Sequence, residues 1–141
     1  MTLKVYTAGW VPKTAEEIKT TTTWRADLPA LRNVEWMCPR PPPGACAANR
    51  GKPDYFLPSD LHMIGKSDVM LAKFETRPDR PQFGTAAEVG YAFGIRKPII
   101  VAYGDEPTLL RYTFAIQLAQ SRVASLEEAV DIIRFMADSL D

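Results

Sequence analysis

The side chains best placed for acid–base or nucleophilic chemistry are a few carboxylates and the aromatic residues that can flank them. Glu88 stands in Phe83-Gly84-Thr85-Ala86-Ala87-Glu88-Val89-Gly90-Tyr91-Ala92. A helix starting at Gly84-Thr85 would set Glu88 near its amino end, where free amides and the helix dipole favour negative charge. An ionised carboxylate there can serve as a nucleophile. The same spacing has a structural reading, with Thr85 as the N-cap and Glu88 as the acid of a capping box. Gly84 allows a ligand or loop to approach the backbone closely. Asp60, in Pro58-Ser59-Asp60-Leu61, is either a second working carboxylate or a first-turn acid. Asp68, in Lys66-Ser67-Asp68, either fixes a turn or serves a site. Tyr6 brings a hydroxyl that needs a partner when buried. Trp10, just past Gly9, can stack on a flat ring or pack the domain edge.

Other chemistries find little support. The chain has one histidine, His62, and two cysteines, Cys38 and Cys46, too far apart for a CxxC pair. A zinc site is therefore not expected, and the cysteines read as structural. No GxSxG elbow, no GxGxxG after the first strand and no GxxxxGK[ST] occurs. The 17 basic and 17 acidic side chains balance to zero, poor equipment for a nucleic-acid polymer but no obstacle to a small neutral substrate. No apolar run is long enough for a bilayer. The opening residues lack a signal peptide's pattern, so a cytoplasmic location is expected.

The 141 residues suit one domain, 1–141, with its own core. Leu3 to Ala8 reads as a strand ended by Gly9. Thr14-Ala15-Glu16-Glu17 is a capping box, predicting a helix to about Ala30 through the unfavourable run Thr20 to Thr23. Val34 to Cys38 is a second strand, and the proline-rich stretch Pro39 to Pro53 one long loop. A short helical piece over Ser59 to Gly65 precedes a third strand, Asp68 to Phe74. After a polar loop to Phe83, a helix from Gly84-Thr85 to about Phe93 ends with Gly94 as C-cap. Pro98 to Tyr103 is a fourth strand, apolar enough to be covered on both faces. Thr108 to Gln120 reads as a helix with Leu110, Phe114 and Leu118 on one side. Arg122 to Ala124 is a short edge strand. Ser125-Leu126-Glu127-Glu128 caps a last helix that buries Leu126, Ala129, Val130, Ile133 and Met136 or Ala137. The alternation predicts an α/β fold with a mostly parallel four- to five-stranded sheet. In such sheets ligands bind outside the carboxyl ends of the strands.

These residues resemble a known family. Lys4-Val5-Tyr6-Thr7-Ala8-Gly9-Trp10 is similar to the opening motif of the nucleoside 2-deoxyribosyltransferases. Ser59 to Ala72 is similar to their central block. Phe83 to Ala92, with its GTxxExGYA pattern, is the specific part, and Lys97-Pro98-Ile99-Ile100 matches the strand that follows. The resemblance implies a flavodoxin-like three-layer sandwich and a homo-oligomer built from dimers, often a hexamer. It implies cleavage of the N-glycosidic bond of 2'-deoxynucleosides and transfer of the deoxyribosyl group to another free nucleobase, without metal or organic cofactor. By the resemblance Glu88 is the nucleophile, Tyr6 its hydrogen-bond partner and Asp60 the acid that assists the base. Gly9, Trp10, Asp68 and Gly84 fall among substrate-binding positions, and Gln82 replaces an aspartate that contacts sugar hydroxyls. The alternatives are an N-glycoside hydrolase of nucleoside 5'-monophosphates, with Arg77 or Arg80 meeting the phosphate, and a non-catalytic nucleoside- or nucleotide-binding domain.

Overall fold

The computed structural model describes residues 1–11, 24–39, 53–76 and 81–140. Its strands are β1 (Leu3–Ala8), β2 (Val34–Met37), β3 (Val69–Lys73), β4 (Ile99–Ala102) and β5 (Ser121–Val123). All pair in parallel, in the order β2-β1-β3-β4-β5. That is the flavodoxin-like order, and it places a topological switch between β1 and β3. The register puts Tyr6 beside Met70 and Ala8 beside Ala72, so both strands end at the same rim.

Successive strand residues point to opposite faces, and two apolar layers follow from this. Tyr6, Ala8, Met70, Ala72, Ile99 and Val101 face one layer. It is covered by helix α1 (Pro53–Lys66), helix α2 (Phe83–Gly94) and the short helices α3 (Glu106–Arg111) and α4 (Thr113–Ile116). Leu3, Val5, Val69, Leu71, Ile100 and Ala102 face the other, against Trp24 and the helix α5 (Leu126–Asp138). The result is a three-layer α/β sandwich. Among the described residues no helix is long and apolar enough to cross a membrane.

Several local expectations change. The helix expected to reach Ala30 is, over its described part, a single 3-10 turn, Trp24–Asp27, closed by Leu28 N–H on the Arg25 carbonyl. The capping box at Thr14 lies outside the described residues, as does most of the proline loop. Helix α1 begins at Pro53, ahead of the expected Ser59, and carries Pro58 inside it. Proline there forgoes a single ladder bond. Helix α2 has its N-cap at Gln82, with no side-chain cap bond, so Thr85 is already helical and buried. Its end is not made by Gly94. Arg96 takes the left-handed conformation (φ 60°), while Lys97 N–H reaches the Ala92 carbonyl at 2.9 Å and Arg96 N–H that of Phe93 at 3.0 Å, a Schellman ending. The single helix expected over Thr108 to Gln120 breaks at Tyr112. Its ring lies 4.9 Å from that of Phe74, and its hydroxyl accepts the Gln82 N–H at 2.9 Å. Tyr112, Ile116 and Ala119 are therefore the buried apolar residues, and Leu110 and Phe114 are exposed. The last helix follows expectation: Ser125 Oγ accepts the Glu128 N–H, and the Glu128 carboxylate accepts the Ser125 N–H.

Candidate active site

Helix α2 buries Thr85, Val89 and Ala92, a stripe at helical spacing. Glu88 lies beside that stripe, on the second turn. Tyr6, fully buried, projects from β1 into the same layer. Its hydroxyl donates to Glu88 Oε2, which makes the tyrosine the partner of the carboxylate. The capping-box reading of Glu88 does not hold, because Thr85 is not the N-cap. Nor is Glu88 kept ionised by its helix. Burial pushes its carboxyl up to about 7, with the charge of Asp60 adding to the rise; the Tyr6 hydroxyl and Arg25 act in the opposite direction.

Asp60 lies on α1, half-buried. Burial raises its carboxyl to about 6, and Arg25 opposes the rise. Tyr6 is held well above its usual range by burial first and then by Glu88, so its hydroxyl remains a donor at any ordinary pH. The three residues read as catalytic are thus brought together from β1, α1 and α2. The site holds one carboxylate close to half-ionisation at neutrality and a second that titrates just below it. Such poised carboxyls suit proton transfer near neutral pH.

The substrate-binding positions divide. Gly84 lies exposed in the first turn of α2, and a Cβ built there meets nothing within 4 Å, so its surroundings leave room for a ligand. Trp10 is half-exposed just past β1. Gly9 is buried, and its lack of a side chain serves packing: a Cβ there would lie 2.7 Å from Trp24 Nε1. Gln82 is turned inward. Its Oε1 accepts the Glu75 N–H at 2.6 Å, and its Nε2 donates to the Lys73 carbonyl and to Thr85 Oγ1. That amide joins the end of β3 to the start of α2 and has no N–H left for a sugar hydroxyl. Asp68 is at the opposite edge of the sheet. Its carboxylate accepts the Lys4 N–H at 2.8 Å and its own N–H donates to the Lys4 carbonyl at 2.7 Å, so it ties β1 to β3 where both begin, at the other end of the strands from the rim. His62 is exposed on α1 and Cys38 half-buried just beyond β2. Cys46, Arg77 and Arg80 lie outside the described residues. Among the described residues no group of three or more His, Cys, Asp or Glu side chains is placed to hold a metal ion.

Sequence reasoning missed Arg25. Its Nε donates to Thr7 Oγ1 at 3.0 Å, Nη1 to the Trp10 carbonyl at 2.9 Å, and Nη2 to the Thr7 carbonyl at 2.9 Å and, more weakly, that of Gly9 at 3.4 Å. The guanidinium also lies 4.8 Å from the Trp24 ring centroid. Three of these acceptors are backbone carbonyls, which leave no mark in a sequence.

A family model described as Nucleoside 2-deoxyribosyltransferase matches residues 12–131. No curated protein gives a significant match. Among solved structures, the chain is similar to a conserved protein from Enterococcus faecalis V583. The TM-score is 0.66 at 15% identity, over 96% of this chain and 99% of that one. It is also similar to a 2-desoxiribosyltransferase from Leishmania mexicana, with a TM-score of 0.62 at 21% identity, over 94% and 97% of the two chains. At such identities the structural likeness speaks for the fold.

Proposed function

This chain belongs to the nucleoside 2-deoxyribosyltransferase family, and from that premise we propose that it cleaves the N-glycosidic bond of 2'-deoxynucleosides and passes the deoxyribosyl group to another nucleobase. The observation that carries the reading is the partly buried pairing of the Tyr6 hydroxyl with the Glu88 carboxylate, at the rim where β1 and β3 end. Oε2 is committed to Tyr6, so Oε1 is the attacking oxygen. Its lone pair bonds to C1' of the sugar as the C1'–N bond breaks. The bond pair leaves on the base nitrogen, which takes a proton from the Asp60 carboxyl. A deoxyribosyl ester on Glu88 results. A second base then attacks C1' from the vacated face and returns a proton to Asp60, and Glu88 departs as a carboxylate. Two inversions give retention, the two-step logic of retaining glycosidases.

The proton distribution bears on this scheme. Glu88 must be ionised at attack, although burial favours its neutral form. Tyr6 and Arg25 both favour the ionised form of Glu88, and a base accepting a hydrogen bond from Asp60 would favour the protonated form of that second carboxyl. Assistance of this kind is typically worth ~10²–10⁴-fold. This reading assigns Trp10, half-exposed past β1, and Gly84, open at the start of α2, to contacts with the nucleoside. An assembly of dimers belongs to the same reading and is checked by sedimentation velocity.

The test is base exchange. A deoxynucleoside is incubated with the protein, with and without a second free base, and intact mass is followed. The expected result is a new nucleoside only when the acceptor is present, and a deoxyribosyl adduct that is absent from Glu88→Ala. An adduct retained in Glu88→Ala refutes the nucleophile. Free sugar released at a rate indifferent to the acceptor, or turnover of monophosphates alone, refutes transfer in favour of hydrolysis.

A further inference from the structure

We propose that Gln82, itself held by Tyr112, is a positioning residue for Glu88: it fixes the rotation of α2 about its own axis, and with it the direction in which the carboxylate meets Tyr6. Helix α2 has little of its own to set that rotation. Its N-cap makes no side-chain bond to the first-turn amides. The interior glycines Gly84 and Gly90 weaken it. It carries no charged residue besides Glu88, so no surface ion pair orients it. The rotation matters because Glu88 stands at the edge of the buried stripe Thr85, Val89 and Ala92. Side chains lie ~5–6 Å from a helix axis, so a turn of about 20° would carry the carboxylate roughly 2 Å sideways. A displacement of that size parts it from the Tyr6 hydroxyl.

Gln82 supplies the hold that the helix lacks. It is buried, at 4% exposure. Its Oε1 accepts the Glu75 N–H at 2.6 Å, and its Nε2 donates to the Lys73 carbonyl at 3.1 Å and to Thr85 Oγ1 at 3.3 Å. Both amide hydrogens are thus spent. The partners are backbone groups at the end of β3 and a side chain in the first turn of α2, on its buried side. The main chain of Gln82 adds to this. Its carbonyl accepts the Ala86 N–H at 3.1 Å, which opens the helix ladder, and its N–H goes to the Tyr112 hydroxyl at 2.9 Å. Tyr112 is buried between α3 and α4, its ring 4.9 Å from that of Phe74, just past β3. One residue therefore joins β3, α2 and the α3–α4 junction, on the turn of chain that precedes Glu88. With both donors turned into protein, the amide acts on the reaction through α2 and not by gripping the sugar.

The role rests on the reading of Glu88 as nucleophile, and a measurement without turnover separates the two. Substitutions at independent sites add in their effects on stability. Tyr6 and Gln82 bond to different residues, so a failure to add reports the rotation of α2. Urea midpoints are measured for Tyr6→Phe, Gln82→Met and Tyr112→Phe, and for the latter two combined with Tyr6→Phe. Methionine keeps the length of the side chain without its N–H donors, and phenylalanine keeps the ring against Phe74 without the hydroxyl. Circular dichroism establishes that each variant is folded. The drop caused by Tyr6→Phe should shrink to about half or less in Gln82→Met, where the bond it removes is already broken or bent, and by a smaller amount in Tyr112→Phe. In base exchange, kcat should fall in both variants, for Gln82→Met by roughly 10–100-fold, with KM within about twofold of wild type. The factor should be the same for a 2'-deoxynucleoside and for its 2',3'-dideoxy and 2',5'-dideoxy analogues. A full Tyr6→Phe effect in folded Gln82→Met overturns the proposal. So does a loss of activity that disappears with either analogue, since Gln82 would then be touching the sugar. If Gln82→Met does not fold, Tyr112→Phe with wild-type kcat and a full Tyr6→Phe effect overturns it. If base exchange is never detected but the midpoints fail to add as expected, the transferase reading falls and the positioning of Glu88 stands.

Discussion

Replacing Glu88 by glutamine should stabilise the protein, and increasingly so as pH rises. Burial lifts the Glu88 carboxyl from 4.5 to about 7, so the folded chain binds this proton more tightly than the unfolded chain does. The stability that this brings is fully present below about pH 4.5 and is lost as pH rises through about 7. At ~1.36 kcal/mol per pH unit, the loss comes to roughly 3 kcal/mol by about pH 8. Glutamine is neutral throughout, and its Oε1 can still accept from the Tyr6 hydroxyl. It therefore keeps the partner and removes the slope. Asp60 contributes a similar slope to both proteins, and it drops out of their difference. Urea unfolding followed by tryptophan fluorescence between about pH 4 and 8 measures that difference directly, and the linear extrapolation at each pH gives the stability. The two proteins should be close at the acid end, and the variant should be ahead by roughly 3 kcal/mol at the alkaline end, or about 10 °C in Tm for a chain of this length. Such a gain with loss of activity is the usual trade at a strained site. Parallel curves, or a variant less stable than wild type at about pH 8, would show that Glu88 is not buried at a cost and that the reasoning about its charge is wrong.

Other substitutions test neighbouring parts of the argument. Tyr6→Phe removes the donor to Glu88 Oε2. A hydrogen bond to a charged group is worth ~1.5–3 kcal/mol, so kcat for base exchange should fall by roughly 10–150-fold, and an unchanged kcat would remove Tyr6 from the mechanism. Gly9→Ala forces a methyl to within 2.7 Å of the Trp24 indole; overpacking of this kind costs about 1–3 kcal/mol, read as a lowered urea midpoint. Asp68→Asn sits at the far edge of the sheet, so kcat and KM should both stay at wild-type values while stability falls by about 1 kcal/mol from the weakened bond to Lys4. A raised KM would return Asp68 to the site.

The features written locally were legible in the sequence. The alternating apolar runs marked the strands, and Ser125 and Glu128 marked the last helix start, because capping chemistry needs only residues three apart. Family resemblance then singled out Glu88, Asp60 and Tyr6. What the sequence by itself could not decide was everything that depends on register and facing. The pairing of Val5 with Val69 sends Asp68 to the amino edge of the sheet and Tyr6 towards α2. The exact phase of α2, starting from Gln82 rather than Thr85, turns Glu88 from a helix cap into a half-buried acid beside Tyr6. Gln82 is committed to backbone groups of Lys73 and Glu75, and Arg25 to carbonyls of β1 and the turn after it. Every residue type has a backbone carbonyl, so such partners carry no signature in the sequence. A carboxyl's charge, likewise, is set by how much water the fold removes and which charges it brings near, and only the folded chain determines either.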